Sequence, residues 1–409
     1  MNSASQALVG CPPTRSARRP ANAQTILQQL ERLQGGRIHL ILPDGERLQI
    51  GAGQHGIELQ VHDWRMFDAA LGGGDIGFGD AYMDGLWDTP EPARLLTLLA
   101  RNRGPLQAAI FGQWWRLLPQ RLLHGLRANT RRGSRRNIVA HYDLGNDFYA
   151  LWLDPGMSYS SALYAGDYTL TLEQAQSAKY RRILDRLQVQ PGQEILEIGC
   201  GWGAFAELAA REYGARVLGV TLSARQLAYA RQRVQASATA HQARFELCDY
   251  RDVQGRFDHV VSIEMFEAVG ERYWPVFFDR LHALLRPGGG ALVQSITVAD
   301  SLFARYRRGT DFIQRYIFPG GMLPSPQQFA AQAARARFRI EDDLAFGQDY
   351  AQTLAAWLQR FEQRIEDVRA LARHMRFERM WRFYLAYCEA GFRAGSTDVH
   401  QFHLVQGEP

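Results

Sequence analysis

Two spacings of apolar residues alternate along this chain, and the change from one to the other divides it. Residues 25–34 carry apolar positions at helical spacing, and 37–50 alternate as a hairpin would, with Asp44-Gly45 as the turn signal. Residues 57–62 read as a further short strand, and 64–71 and 92–100 as helices. Between those helices, Gly72-Gly73-Gly74 and the Gly- and aromatic-rich residues 77–87 predict a loop. Residues 24–100 thus form a small α+β unit with no catalytic pattern of its own. Farther on, strand patterns at 193–198, 216–220, 245–247, 259–263 and 291–295 are separated by helical ones, including 224–236 and 273–285. Strands alternating with helices predict an α/β, doubly wound, mostly parallel sheet. In such sheets ligands sit at the carboxyl ends of the strands.

Composition adds limits. The chain has 409 residues, enough for two domains. No apolar run reaches the roughly 18 residues expected of a membrane-spanning helix, so membrane contact is expected to be peripheral. The four cysteines, Cys11, Cys200, Cys248 and Cys388, lack metal-ligand spacing and suggest neither a metal site nor a disulfide framework, which fits a cytoplasmic protein. Residues 1–23 read as a disordered tail. The net charge of +5 is modest but unevenly placed, because residues 101–136 hold nine arginines and no acid. Phe111, Trp114, Trp115 and several leucines share that segment at near-helical spacing. It reads as a linker helix that docks by its leucines and offers arginines to an anionic membrane surface at the inner face of the cytoplasmic membrane. No nucleic-acid-binding motif accompanies it.

The chemistry begins where strand 193–198 ends. Glu197 is followed by Gly199, Gly201 and Gly203, a Glu-x-Gly-x-Gly-x-Gly spacing ahead of a helical segment. Glycine permits a tight turn and close ligand approach, and a helix N-terminus offers free N–H groups. The loop resembles the S-adenosylmethionine site of class I methyltransferases. After the second strand, Thr221, Leu222 and Gln226 occupy the place of a ribose site, with Ser223 as helix N-cap. After the third, Asp249, Tyr250 and Arg251 could face an adenine.

Longer stretches make the resemblance specific. Residues 140–149, 153–155 and 157–162, the glycine loop, 262–267, 317–325 and 384–394 resemble the catalytic domain of the cyclopropane-fatty-acyl-phospholipid synthase family. Together they place a methyltransferase domain at 137–409, and residues 79–87 resemble the family's lipid-associated N-terminal domain. The resemblance implies methyl transfer from S-adenosylmethionine to the cis double bond of an unsaturated phospholipid acyl chain, closing a cyclopropane. It also implies a bound bicarbonate as base, and it leaves a homodimer open. Mapped by motif, Glu267, Tyr350 and the Ile296 backbone belong to the anion site, and Tyr159 and Ser160 lie near the methionine end of the cofactor. Cys388 holds a place where the family commonly has cysteine, and its expected role is packing beside the site.

This chain departs from the family at three places. Ser161 stands for a cysteine, Gln294 for a histidine, and Ala268 for a residue that is often histidine. Ser161 and Gln294 can still donate to an oxyanion. Gln294 cannot gain charge or shuttle a proton, so the departures bear on proton removal. Without ring closure, a hydride shift and loss of another proton would leave a methyl- or methylene-branched chain, and the resemblance also implies ring-less methylation of dienes toward furan fatty acids. Glu264 is expected on the solvated side of its turn, with an alternative base as the other reading. Arg305, Arg307 and Arg308 could meet phosphate or lie on an exposed helix face. A small-molecule N-methyltransferase and a catalytically silent lipid-binding protein are the remaining rivals.

Overall fold

The computed structural model describes residues 19–54, 56–104, 145–235, 240–371 and 374–407. The arginine-rich run beyond residue 104 and motif residues 140–144 lie outside them.

Helix α1 (Ala21–Leu30) precedes strands β1 (Gly36–Ile41), β2 (Arg47–Ala52) and β3 (Gly56–Val61), helix α2 (Arg65–Met83), strand β4 (Trp87–Asp88) and helix α3 (Pro92–Arg101). The strands form one sheet in the order β2-β1-β3-β4. The hairpin turns at Gly45 (φ 84°), where the Leu42 and Glu46 backbones pair. The expected loop over 72–87 is corrected, because residues through Met83 are helical, with a break only at Gly74 (φ 59°, ψ −134°). A Cβ on Gly77 would lie 1.9 Å from the Ala69 carbonyl oxygen, and one on Gly79 2.7 Å from the Phe312 ring. These glycines serve close packing rather than a turn, at a helix-propensity cost of about 1 kcal/mol each.

The second sheet holds seven strands in the order β10-β11-β9-β8-β5-β6-β7. Its members are β5 (Glu194–Ile198), β6 (Arg216–Thr221), β7 (Ala243–Leu247), β8 (Phe257–Ile263), β9 (Leu285–Val298), β10 (Phe338–Ala345) and β11 (Thr397–Gln406). Strands β5 to β9 run parallel, and β11 is antiparallel to both β9 and β10. The interleaved helices are α4 (Asn146–Ala150), α5 (Leu172–Arg186), α6 (Ala204–Tyr213), α7 (Ala224–Gln235), α8 (Trp274–Leu284), α9 (Asp300–Tyr306), α10 (Phe312–Tyr316), α11 (Pro326–Arg335), α12 (Gly347–Gln363), α13 (Ile365–Leu371) and α14 (Met375–Arg393). The α/β, doubly wound, mostly parallel architecture is as expected.

Helix α14 joins the two sheets. Its Arg379 lies 4.1 Å above the Tyr82 ring and donates to the Tyr82 carbonyl at 2.5 Å, the Trp87 carbonyl at 3.0 Å and Asp88 at 2.7 Å. Phe383 of α14 packs with Tyr82, Trp87 and Phe312, so one continuous apolar core spans both units. Among the described residues no helix is long and apolar enough to cross a membrane.

Candidate active site

The glycine loop folds over the end of β6, where the N–H groups of Gly199 and Cys200 both donate to the Val220 carbonyl at 3.0 Å. Gly199, Gly201 and Gly203 all have positive φ, at 86°, 51° and 87°. A Cβ on Gly203 would crowd the Phe245 ring at 3.0 Å and Ala230 at 3.1 Å, whereas one on Gly201 would meet nothing within 4 Å. Gly203 therefore closes the helix start against its own protein, and Gly201 faces open space. Glu197 is 3% exposed, and its Oε2 has no partner among the described residues. Burial pushes its carboxyl well above the usual range. An orphaned buried oxygen beside an open glycine fits a ligand that brings a donor, as the amine and hydroxyls of S-adenosylmethionine would.

Around this loop, Thr221 Oγ1 donates to Gln226 Oε1 at 2.9 Å, and Ser223 caps α7 by accepting from the Gln226 N–H at 3.3 Å. Arg251 holds Asp249 bidentately at 2.8 and 2.6 Å, and Tyr250 packs edge-on against Phe277. Asp249 is therefore not waiting solely for a ligand amine. Tyr159 hydrogen-bonds Tyr384 at 2.7 Å and sits among the rings of Tyr149, Trp152 and Trp357. Trp202 packs against Tyr149 and donates to Asn146 at 2.9 Å.

Two carboxylates follow the end of β8. Glu264 adopts a left-handed φ of 49°, which turns its side chain inward. Its Oε1 accepts from the Ser161 N–H and from Gln294 Nε2, both at 2.8 Å, and its Oε2 accepts from the Tyr350 hydroxyl at 2.5 Å. The solvated reading of Glu264 is thus corrected: the residue lines the interior cavity, and its carboxylate is bound by three donors. Ser161 contributes only its backbone, because its hydroxyl turns away to the Ala162 carbonyl at 2.9 Å. Gln294 is wholly buried behind Glu264. Burial raises the Glu264 carboxyl, opposed by the Tyr350, Ser161 and Gln294 hydrogen bonds and by Lys179.

Glu267 accepts from the Ile296 N–H at 2.5 Å and from Ser295 at 3.1 Å, both on Oε1. Burial, with Glu264 close by, pushes its carboxyl up to about 8. The unfolded chain releases that proton near 4.5 while the folded chain keeps it to about 8. Folded protein therefore binds more protons in this window, and this group's contribution to stability falls as pH rises through it. Glu267→Gln mimics the neutral acid, so its melting temperature is expected to fall less between pH 4.5 and about 8 than the wild type's. Parallel melting curves against pH would show that Glu267 is already ionised.

One cavity of about 1220 Å³ brings together Tyr159, Ser160, Glu197, Gly199, Gly201, Thr221, Leu222, Gln226, Asp249, Tyr250, Arg251, Glu264, Glu267, Ile296, Tyr350 and Cys388. Ser161, Gln294 and Gly203 stand behind its wall. Burial pushes the Cys388 thiol up, which suits a packing residue rather than a nucleophile. The cavity continues past Phe318 to Leu40, Leu59 and Met66, so the N-terminal unit lines it too. Arg305 and Arg308 also line it, while Arg307 pairs with Glu271 at 2.8 Å. No group among the described residues could hold a metal ion.

Sequence reasoning missed Lys179. It is wholly buried in α5 and donates to Ser160 Oγ and Gln176 Oε1, both at 2.6 Å. Burial lowers its ammonium to about 8, while Glu264, Asp154 and Glu197 pull it upward. A helical lysine is ordinarily solvated, and its only sequence signal was a place among the helix's core-facing positions.

Residues 129–402 match the family model described as mycolic acid cyclopropane synthetase. A tuberculostearic acid methyltransferase of Mycobacterium tuberculosis is 42% identical over 343 residues, 82% of this chain and 80% of that protein. The cyclopropane-fatty-acyl-phospholipid synthase of Escherichia coli is 35% identical over 361 residues, 86% of this chain and 88% of its own length. The crystal structure of a mycolic acid cyclopropane synthase complexed with SAH and CTAB superposes with a TM-score of 0.62 at 34% identity, covering 66% of this chain and 97% of that one.

Proposed function

From the chain's membership of the mycolic acid cyclopropane synthetase family, as an S-adenosylmethionine-dependent methyltransferase, we propose that it methylates the cis double bond of an unsaturated acyl chain, with Glu264 as the base. The observation that carries this reading is the Glu264 carboxylate seated on Ser161 N–H, Gln294 and Tyr350. Tyr350 and the positions of Ser161 and Gln294 belong, with Glu267 and the Ile296 backbone, to the set expected to hold a bicarbonate. In this chain a tethered carboxylate takes that seat.

S-adenosylmethionine, when bound, supplies an electrophilic methyl group. An alkene is a weak nucleophile, so the walls must hold it in line and exclude water. The alkene's π pair forms the new carbon–carbon bond, and positive charge appears on the neighbouring carbon. Tyr159, with Trp152 and Trp357 around it, presents aromatic faces suited to a cation. Glu264 then accepts the proton. If the proton leaves the new methyl while positive charge remains on the neighbouring carbon, the C–H pair closes a cyclopropane. If a hydride shifts first, loss of that proton leaves a methylene branch.

The geometry favours the second course. Burial leaves the Glu264 carboxyl raised, but its three hydrogen bonds and its main-chain tether fix it in place and keep it from following the methyl. Slower proton removal gives the hydride shift time to produce the more substituted cation. The name of the 42%-identical relative agrees with ring-less methylation. Cyclopropane closure is the second reading, supported by the name of the Escherichia coli relative. A phospholipid substrate met at an anionic, cytoplasmic membrane face fits that relative's name and the acid-free arginine run of residues 101–136.

Incubation with S-adenosylmethionine and monounsaturated phospholipid, followed by mass spectrometry, tests the reading. Either product gains one CH₂. Mild hydrogenation reduces a methylene branch and spares a cyclopropane, so reducible product is expected. A resistant product would select ring closure, and no product from any unsaturated lipid would overturn the proposal.

A further inference from the structure

Glu264 is reached by a line of three side chains drawn from three separate elements. Arg182 of α5 donates from Nη1 to Gln401 Oε1 at 2.6 Å. Gln401 Nε2 donates to Gln294 Oε1 at 3.0 Å, and Gln294 Nε2 donates to Glu264 Oε1 at 2.8 Å. Gln401 and Gln294 are direct cross-strand partners on β11 and β9, and both are wholly buried. Arg182 is anchored in turn by an ion pair with Asp342 of β10.

An amide can usually be turned end for end, and its hydrogen bonds decide which way it faces. Here the choice is forced. A guanidinium has donors and no acceptor, so Gln401 must give Arg182 its oxygen. The NH₂ of Gln401 then faces Gln294, which must answer with its own oxygen. Only the NH₂ of Gln294 is left for Glu264. Bonds aligned head to tail polarise one another, and the positive end of the row points at the carboxylate.

We propose that Arg182, acting through Gln401, is a positioning residue that holds the Gln294 amide with its NH₂ toward Glu264, keeping that carboxylate in its proton-accepting form. The inference rests on the reading of Glu264 as base. The other groups facing Glu264 are the Tyr350 hydroxyl from α12, Lys179 from α5, Glu267 beyond the end of β8, and the Ser161 N–H. Around Arg182 stand Arg186 of its own helix and Asp342 and Asp343 of β10. None of these charges touches the two amides, so their polarity is set by the row's ends.

Gln401→Glu tests this with little change of volume. A carboxylate at 401 accepts from Arg182 as before, and it also demands the NH₂ of Gln294. That amide must then turn its oxygen to Glu264, which favours the protonated acid. The acid limb of the kcat–pH profile is expected to move up by about one unit or more, a roughly tenfold loss on the limb. S-adenosylmethionine affinity and the thermal melt should stay near wild type. Arg182→Met leaves the amides free to turn and is expected to shift the same limb by a smaller amount, which keeps a second route to the answer should Gln401→Glu fold poorly. Acid limbs coincident with wild type in both variants, alongside a Glu264→Gln enzyme that has lost turnover, would overturn the role of Arg182 while sparing Glu264. A Glu264→Gln enzyme with wild-type turnover would instead remove the base reading, and this inference with it.

Discussion

Glu264→Gln is expected to lower turnover roughly a hundredfold to ten-thousandfold, the range typical for loss of a positioned base, while S-adenosylmethionine still binds. The three groups around the carboxylate all donate in the structure. An amide offers one acceptor oxygen and an NH₂ that opposes a donor, so the variant loses both the base and a hydrogen bond. Glu264→Gly separates the two effects. At φ 49° the glutamate backbone sits where glycine is comfortable and other residues are strained by about 1–2 kcal/mol, so the glycine variant should fold well. It leaves Ser161 N–H, Gln294 and Tyr350 around an empty seat the size of a small oxyanion. Added bicarbonate or formate is expected to restore turnover saturably, by at least about tenfold out of the hundredfold or more that a base contributes. A free anion can follow the methyl, so the hydrogenation-resistant, cyclopropane fraction of the product should rise under rescue. Wild-type turnover in either variant, measured as lipid product per enzyme, would show that Glu264 is not the base.

The alternation of strands and helices after residue 193 was readable because each parallel strand is an apolar run closed by a turn. The glycine loop was readable because its backbone angles demand glycine at fixed spacing. The helical reach of α2 through Gly77 and Gly79 was not. A glycine that makes room for Ala69 and Phe312 looks, in one dimension, like a glycine that makes a turn. Glu264 was misjudged for a related reason. Its direction depends on one left-handed residue at the end of β8, and spacing arguments assume ordinary backbone. Ser161 was read by its hydroxyl, but the fold uses its N–H. Arg182, Gln294 and Gln401 lie far apart in sequence and meet only because β11 enters the sheet antiparallel beside β9. No local pattern carries that.

Lys179→Met is expected to cost stability and cofactor affinity together. The ammonium is buried among Glu264, Asp154 and Glu197, and it also orients Ser160 on the cavity wall. Removing one partner of a buried charge cluster typically costs about 3–5 kcal/mol, because the remaining charges are left uncompensated. The carboxylates can relieve part of that cost by taking up protons, which gives the effect a pH signature. Without Lys179 their proton affinities rise, so the folded variant binds more protons than the folded wild type at a given pH. Stability of the variant must then fall faster as pH increases. The wild type moves the opposite way above about 8, because its folded lysine releases a proton that the unfolded chain keeps up to 10.5. Both effects act in one direction, so the stability gap between wild type and variant should widen steadily with pH. Denaturant titrations at several pH values measure it, and S-adenosylmethionine affinity measured in parallel should fall most where the gap is largest. A gap independent of pH would mean that Lys179 acts by packing alone, and that the buried acids are neutral whether or not the cation is present.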